Sequence, residues 1–400
     1  MNLFISSFKL INPKAYTKAF ILSLLVLLSI TMAFNRIIDP FWYYRDFYIP
    51  NINAVKTEFK KYDKQMKPLI FKELKPSVVI FGNSFFEVGL NPKHEALTQG
   101  GKYTSYNFGE PAADWNKVYC NVDYSLKTSN LQLVIIGIQA EPLPSVNCSQ
   151  IMQNNSTVDT KTMLLSFDAL RGSINTVLHQ SKPPTHTSDG LFYYHRGNSG
   201  MIEQIFSSYT HQYVRFLGDR MNNPAIDLVI PDWNIPTHKH DFTGLSDLLQ
   251  KLKQANVQVK IIVYPVHALG AELILNQGKI IDRWHYLYEI ADLVEKFNTP
   301  DNFIELWDFH EYSDLNTERI LNNHVKYWQD HGHFNYEFGD YMLDKIFLDK
   351  PYKSSLTNIE FGIKLTTNNI QNAYESFFEN RKIFIQNNKW FLDDYNKFLN

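Results

Sequence analysis

The stretch VVIFGNSFFEVGL, residues 78–90, decides how the chain is read. Val78–Phe81 is apolar and rich in β-branched residues, and Gly82 with Asn83 interrupts it, as a buried parallel strand ends in a tight turn. Ser84 then stands where α/β proteins place chemistry, just past the carboxyl end of a strand. Further apolar, β-like runs occur at residues 103–108, 131–138, 257–264 and 303–307, with helical periodicity between them. That alternation predicts an α/β fold: a doubly wound parallel sheet flanked by helices.

The helix signals agree. Pro111 and Asp114 open a helix expected to run to Lys127, Asp241 caps FTGLSDLLQKLKQAN before the strand VQVKIIVYP, and Asn335 caps a helix reaching about Phe347. Between residues 145 and 240 the pattern loosens into a helical and loop-rich insertion, read as a cap beside the carboxyl edge of the sheet. The tail, residues 351–400, is polar and aromatic, with a helical stretch near 370–382.

The run AFILSLLVLLSITMAF, residues 19–34, carries no charge; Lys9, Lys14 and Lys18 precede it, and Arg36 and Asp39 follow. This is the pattern of a membrane segment near the short end of the spanning range. A cleaved signal peptide and a buried core helix are the alternatives. The long basic leader and the poor cleavage context at residues 31–33 favour an uncleaved anchor over residues 19–38. Residues 1–18 are then cytoplasmic, 39–68 a linker, and 69–350 a domain on the periplasmic side of the inner or plasma membrane. A net charge of −2 with scattered lysines and glutamates excludes a nucleic-acid footprint. Only Cys120 and Cys148 occur; they are a disulfide or, the preferred reading, two buried thiols.

An acyl-transferring serine needs a base, a carboxylate that fixes the base's tautomer, and donors for the oxyanion. YWQDHGHFNYEFGDYML, residues 327–343, offers Asp330 and His333 three apart in a turn just before a helix, with His331 as the competing imidazole. YNFGEPAAD places Gly109 after the second strand, and LVIIGIQAEP ends the third with Gly137 and Gln139. Asn83 and His267, the latter in YPVHAL, are expected to line the site, and Asp308 to cap a loop rather than replace Asp330. A second GNS, Gly197 to Ser199, lacks a preceding strand. His238 with His240 and His331 with His333 are loop pairs of a kind that arises by chance, so no metal and no cofactor is expected.

The ordered blocks GNS at Ser84, Gly109, Gly137 to Gln139, and DxxH at Asp330 to His333 together resemble the SGNH or GDSL hydrolase superfamily. FGNSFFEVGLNP, IIVYPVHA, LWDFHEY and HFNYEFGDYMLDKIF resemble more closely a membrane-anchored branch of bacterial envelope proteins. That branch is distantly akin to those assisting alginate O-acetylation and teichoic acid D-alanylation. The resemblance spans roughly residues 69–349 and implies a flavodoxin-like SGNH fold. It also implies Ser84 as nucleophile, His333 as base, Asp330 as its orienter, and Gly109 and Gln139 as oxyanion donors. Two departures stand out: GNSF replaces GDSL, and Gln139 stands where the superfamily usually has Asn. The expected substrate is an acylated envelope polysaccharide, with a multi-span acyltransferase as partner if the acyl group is transferred. The alternative is a non-catalytic scaffold of the same fold that binds a glycan or an envelope protein.

Overall fold

Buried β-branched runs form the sheet because their backbone hydrogen bonds are met only by neighbouring strands once both faces are covered. The computed structural model describes residues 13–149, 159–193, 204, 206–208, 228–236, 240–276, 280–299, 303–321, 325–350, 352 and 360–399. The strands are β1 (Val78–Phe81), β2 (Ser105–Asn107), β3 (Leu133–Ile138), β4 (Gln258–Val263), β5 (Ile304–Asp308) and β6 (Ile363–Leu365). The first helices are α1 (Pro13–Ile38), α2 (Asp63–Leu74), α3 (Ser84–Gly89), α4 (Glu95–Thr98), α5 (Trp115–Thr128), α6 (Thr160–Leu165) and α7 (Phe167–Leu178). They are followed by α8 (Thr243–Gln254), α9 (Ala268–Asn276), α10 (Ile280–Phe297), α11 (Tyr336–Phe347), α12 (Ile370–Asn387) and α13 (Lys389–Leu399).

Two compact units divide the chain, residues 1–69 with 155–186, and residues 70–154 with 187–400. In the first unit α1 has 26 residues, about 39 Å at 1.5 Å per residue, and a mean hydropathy of 2.1 over its most apolar window. It is long and apolar enough to cross a membrane, and Phe20, Leu22, Leu25, Leu27 and Ile30 along it are exposed. Its carboxyl end is pinned. Asn35 donates to the Leu164 carbonyl and accepts from Ser173 Oγ, both at 2.8 Å, and Lys56 Nζ donates to the Ile38 carbonyl at 2.8 Å. A buried amide needs such partners, and α6 and α7 supply them. Helices α6 and α7 of the insertion therefore group with the N-terminal segment, while its described residues from 187 onward belong to the sheet unit.

The second unit holds a six-stranded sheet in the order β2-β1-β3-β4-β5-β6, parallel except for β6 against β5. Chain direction across the sheet reverses between β1 and β3, so the crevice of a doubly wound sheet opens at their carboxyl ends. All five parallel strands fall inside the apolar runs or within one residue of them. The antiparallel edge comes from the tail, where only a helix was expected; Ile363–Leu365 is too short to give a strand pattern. Cys120 on α5 is bonded to Cys148 in the chain after β3, with Cα atoms 5.4 Å apart. This corrects the expectation of two free thiols: the loop beyond β3 returns past α5, a proximity that spacing in the chain does not reveal.

Candidate active site

β1 delivers its chain to the carboxyl edge, and Asn83 converts strand into helix. The Asn83 side chain accepts the Phe85 N–H at 2.9 Å, a capping bond that starts α3 at Ser84. The Asn83 N–H donates to the Tyr264 hydroxyl at 2.9 Å, fixing the turn from the end of β4. Gly137 makes this possible: a Cβ there would lie 2.4 Å from the Tyr264 ring, so the glycine seats the tyrosine. Burial pushes the Tyr264 phenol up, and it stays neutral.

The candidate base, His333, arrives from the far end of the chain. His333 Nε2 lies 2.8 Å from Ser84 Oγ, while its Nδ1 lies 2.9 and 2.8 Å from the two oxygens of Asp330. Asp330 Oδ1 also accepts the N–H groups of Gly332 at 3.0 Å and His333 at 2.9 Å. Burial pushes the Asp330 carboxyl up, but the bond and charge of His333 with these N–H donors outweigh it, holding the group below its ordinary value. A carboxylate on Nδ1 keeps the proton there and leaves Nε2 free to accept from the serine.

Helix packing aligns the two halves. α11 begins three residues after His333, and a Cβ on its Gly339 would sit 1.7 Å from the Gly89 carbonyl at the end of α3. The two helices thus touch backbone to backbone. Phe85 packs edge-on against the His333 ring, centroids 4.8 Å apart. His331 takes no part: its ring meets Phe206 at 4.9 Å, and burial lowers it to about 4.

The remaining expected residues divide. The Gly109 N–H donates to Asn107 Oδ1 at 2.8 Å, and Asn107 Nδ2 donates to the carbonyls of Phe86 and Leu90 at 2.7 and 2.8 Å. Gly109 lies beside α3, with its N–H directed at Asn107. Gln139 is exposed and shares a small cleft with Asn83, Asp114, Trp115, Glu141 and Tyr264. Burial, then the charge of Asp114, pushes Glu141 up. His267 uses both ring nitrogens, on the Glu318 carbonyl at 2.8 Å and the Leu269 N–H at 3.2 Å, and burial drives it to about 3. Its own N–H holds the His331 carbonyl at 2.8 Å, so His267 braces the Asp330 turn from within the core. Asp308 accepts the His310 N–H at 3.1 Å and pairs with Arg283 at 2.6 Å.

Sequence reasoning missed two contributors. Tyr264 follows β4 as an aromatic strand end, with no local sign of its bond to Asn83. Asn107, two residues before Gly109, does carry a signal, the Asx-turn spacing. Among the described residues no acceptor meets the N–H of Ser84 itself or Nδ2 of Asn83, the residue before it. The second GNS, at Gly197 to Ser199, lies outside the described residues, as does His238; His240 Nδ1 is 3.0 Å from Glu289.

Compared with protein-family models and with curated proteins, the chain matches none.

Proposed function

We propose that this chain is a membrane-anchored, extracytoplasmic serine esterase or O-acyltransferase of SGNH type, acting on acyl groups of envelope polysaccharide. The observation that carries the reading is the unbroken chain from Ser84 Oγ through His333 to Asp330 at the carboxyl edge of the sheet. Ser84 Oγ attacks the acyl carbonyl as His333 Nε2 takes its proton. The tetrahedral oxyanion faces the Ser84 N–H and the Asn83 amide, and its collapse expels the sugar oxygen, which receives the proton from His333. Water or a second sugar hydroxyl, deprotonated by His333, then attacks the acyl-serine and frees Ser84.

The strand order β2-β1-β3-β4-β5 is the flavodoxin-like order that the resemblance implies. The Cys120–Cys148 bond supports an oxidising compartment, and α1 supports tethering, with the sheet unit on the periplasmic side and a multi-span acyltransferase as partner in a transfer reaction. The Gly109 N–H given to Asn107 favours the second reading, a non-catalytic scaffold of this fold binding a glycan or envelope partner.

Labelling of the full chain in detergent with a fluorophosphonate, read by mass spectrometry, separates the two. A single adduct on Ser84, lost in Ser84→Ala and slowed in His333→Ala, is expected of the enzyme. Folded wild-type protein that takes no label supports the scaffold.

A further inference from the structure

Helix α7 is amphipathic the wrong way round for a helix in water. The face it packs inward consists of Ala169, Gly172, Ser173 and Thr176, all small and buried. Its opposite face carries Phe167, Ile174 and Leu178, which are 78 %, 45 % and 68 % exposed. With Arg171, also exposed, these residues recur at steps of four, three and four, so they form one stripe along the helix. A helix facing water turns its polar residues outward. Here the apolar residues face out, and Leu165, exposed at the end of α6, extends the same surface.

What covers the stripe follows from where α7 is fastened. Asn35 of α1 accepts from Ser173 Oγ of α7 and donates to the Leu164 carbonyl just before it, both at 2.8 Å. Asn35 is the last residue before Arg36, the first charge after the uncharged run that begins at Ala19. Residues 19–35 rise about 25 Å at 1.5 Å per residue, close to a hydrocarbon core of about 30 Å. With α1 across a bilayer, Asn35 stands at the membrane–water boundary, and it holds α7 at that level.

Other boundary residues gather at the same end of α1, all within the first unit. The Arg36 guanidinium lies 4.0 Å from the Tyr44 ring centre, Phe47 and Tyr48 are exposed, and so is Lys161 on α6. Aromatic rings and basic side chains flank spanning helices and edge helices that lie in the interface. We propose that α7 is an interfacial helix: its Phe167, Ile174 and Leu178 stripe enters the headgroup and acyl-chain boundary of the bilayer that α1 crosses, and Arg171 snorkels to lipid phosphates. The proposal rests on α1 as a membrane span and on nothing at Ser84.

The test is electron paramagnetic resonance of the full chain in vesicles of phosphatidylethanolamine and phosphatidylglycerol, with a nitroxide on one introduced cysteine at a time. Cys120 and Cys148 are bonded to each other, so the new thiol is the only free one. Collision with oxygen, compared with collision with a water-soluble nickel chelate, reads depth at Ile174→Cys and Leu178→Cys. Leu25→Cys on α1 is the spanning reference and Lys64→Cys the exposed polar one. The labels at 174 and 178 are expected about 5–10 Å below the phosphates, with the label at 25 deeper and the label at 64 in water. Either α7 position decides the outcome if the other variant does not fold. Nickel access at 174 and 178 equal to that at 64, with 25 immersed, overturns the proposal while leaving α1 a span. Nickel access at 25 overturns both, because α1 then lies outside the bilayer. Protection of 174 and 178 from both reagents also overturns it, since protein rather than lipid then covers the stripe.

Discussion

Replacing Asp330 by Asn tests the catalytic geometry with little disturbance to the fold. The amide keeps an oxygen for the N–H groups of Gly332 and His333, now 3.0 and 2.9 Å from Oδ1, so the turn should survive. What changes is the group facing His333 Nδ1: two carboxylate oxygens at 2.9 and 2.8 Å give way to one oxygen and an NH₂ donor. The substituted amide then favours the tautomer with the proton on Nε2, which donates to Ser84 Oγ instead of accepting from it. Losing the base in this way costs about 10⁴-fold in the acylation rate, or ~5 kcal/mol of barrier. The rate of fluorophosphonate adduct formation on the full chain measures it, with Ser84→Ala as the blank. Labelling of Asp330→Asn within about threefold of wild type would refute the assigned roles. The stability sign follows from the lowered Asp330 carboxyl. Its ionised, hydrogen-bonded form stabilises the fold above the ordinary value of 3.8, and that contribution disappears as pH falls through the depressed folded value. The variant is therefore expected to be less stable than wild type by about 1–2 kcal/mol near pH 7, with the gap closing below about pH 4 in denaturant titrations.

Gly339→Ala drives a methyl group into the Gly89 carbonyl, which the α3 and α11 backbones cannot yield without moving His333 from Ser84. We expect about 1–3 kcal/mol of destabilisation by thermal melting and a loss of labelling exceeding the loss of folded protein; normal stability with normal labelling would contradict the packing. Joint substitution of Cys120 and Cys148 by Ser removes a link across a sequence separation of 28, worth about 3–4 kcal/mol on chain-entropy grounds. A denaturation midpoint unchanged from the oxidised wild type would show that the bond does not form.

Much of this protein was legible locally. The β1 run with its Gly-Asn break, the Asp114 and Asn335 caps, and the uncharged stretch of α1 each state their structure within a few residues, because hydrophobic period and capping chemistry act over one turn. The Asp330 to His333 spacing was readable for the same reason, since both residues belong to one short turn. The tertiary structure decided the rest, and in each case the partners are far apart in the chain. His333 meets Ser84 across 249 residues, Tyr264 reaches the Asn83 N–H across 181, and Arg283 takes Asp308 from a separate helix. The Gly109 N–H bonds locally to Asn107, yet Asn107 also serves two carbonyls of α3 that no periodicity announces. Pairing of Cys120 with Cys148, grouping of α6 and α7 with the N-terminal segment, and the β6 edge likewise depend on which surfaces meet. A sequence fixes what each residue can offer; only packing, by satisfying buried polar groups together, fixes which partner receives it.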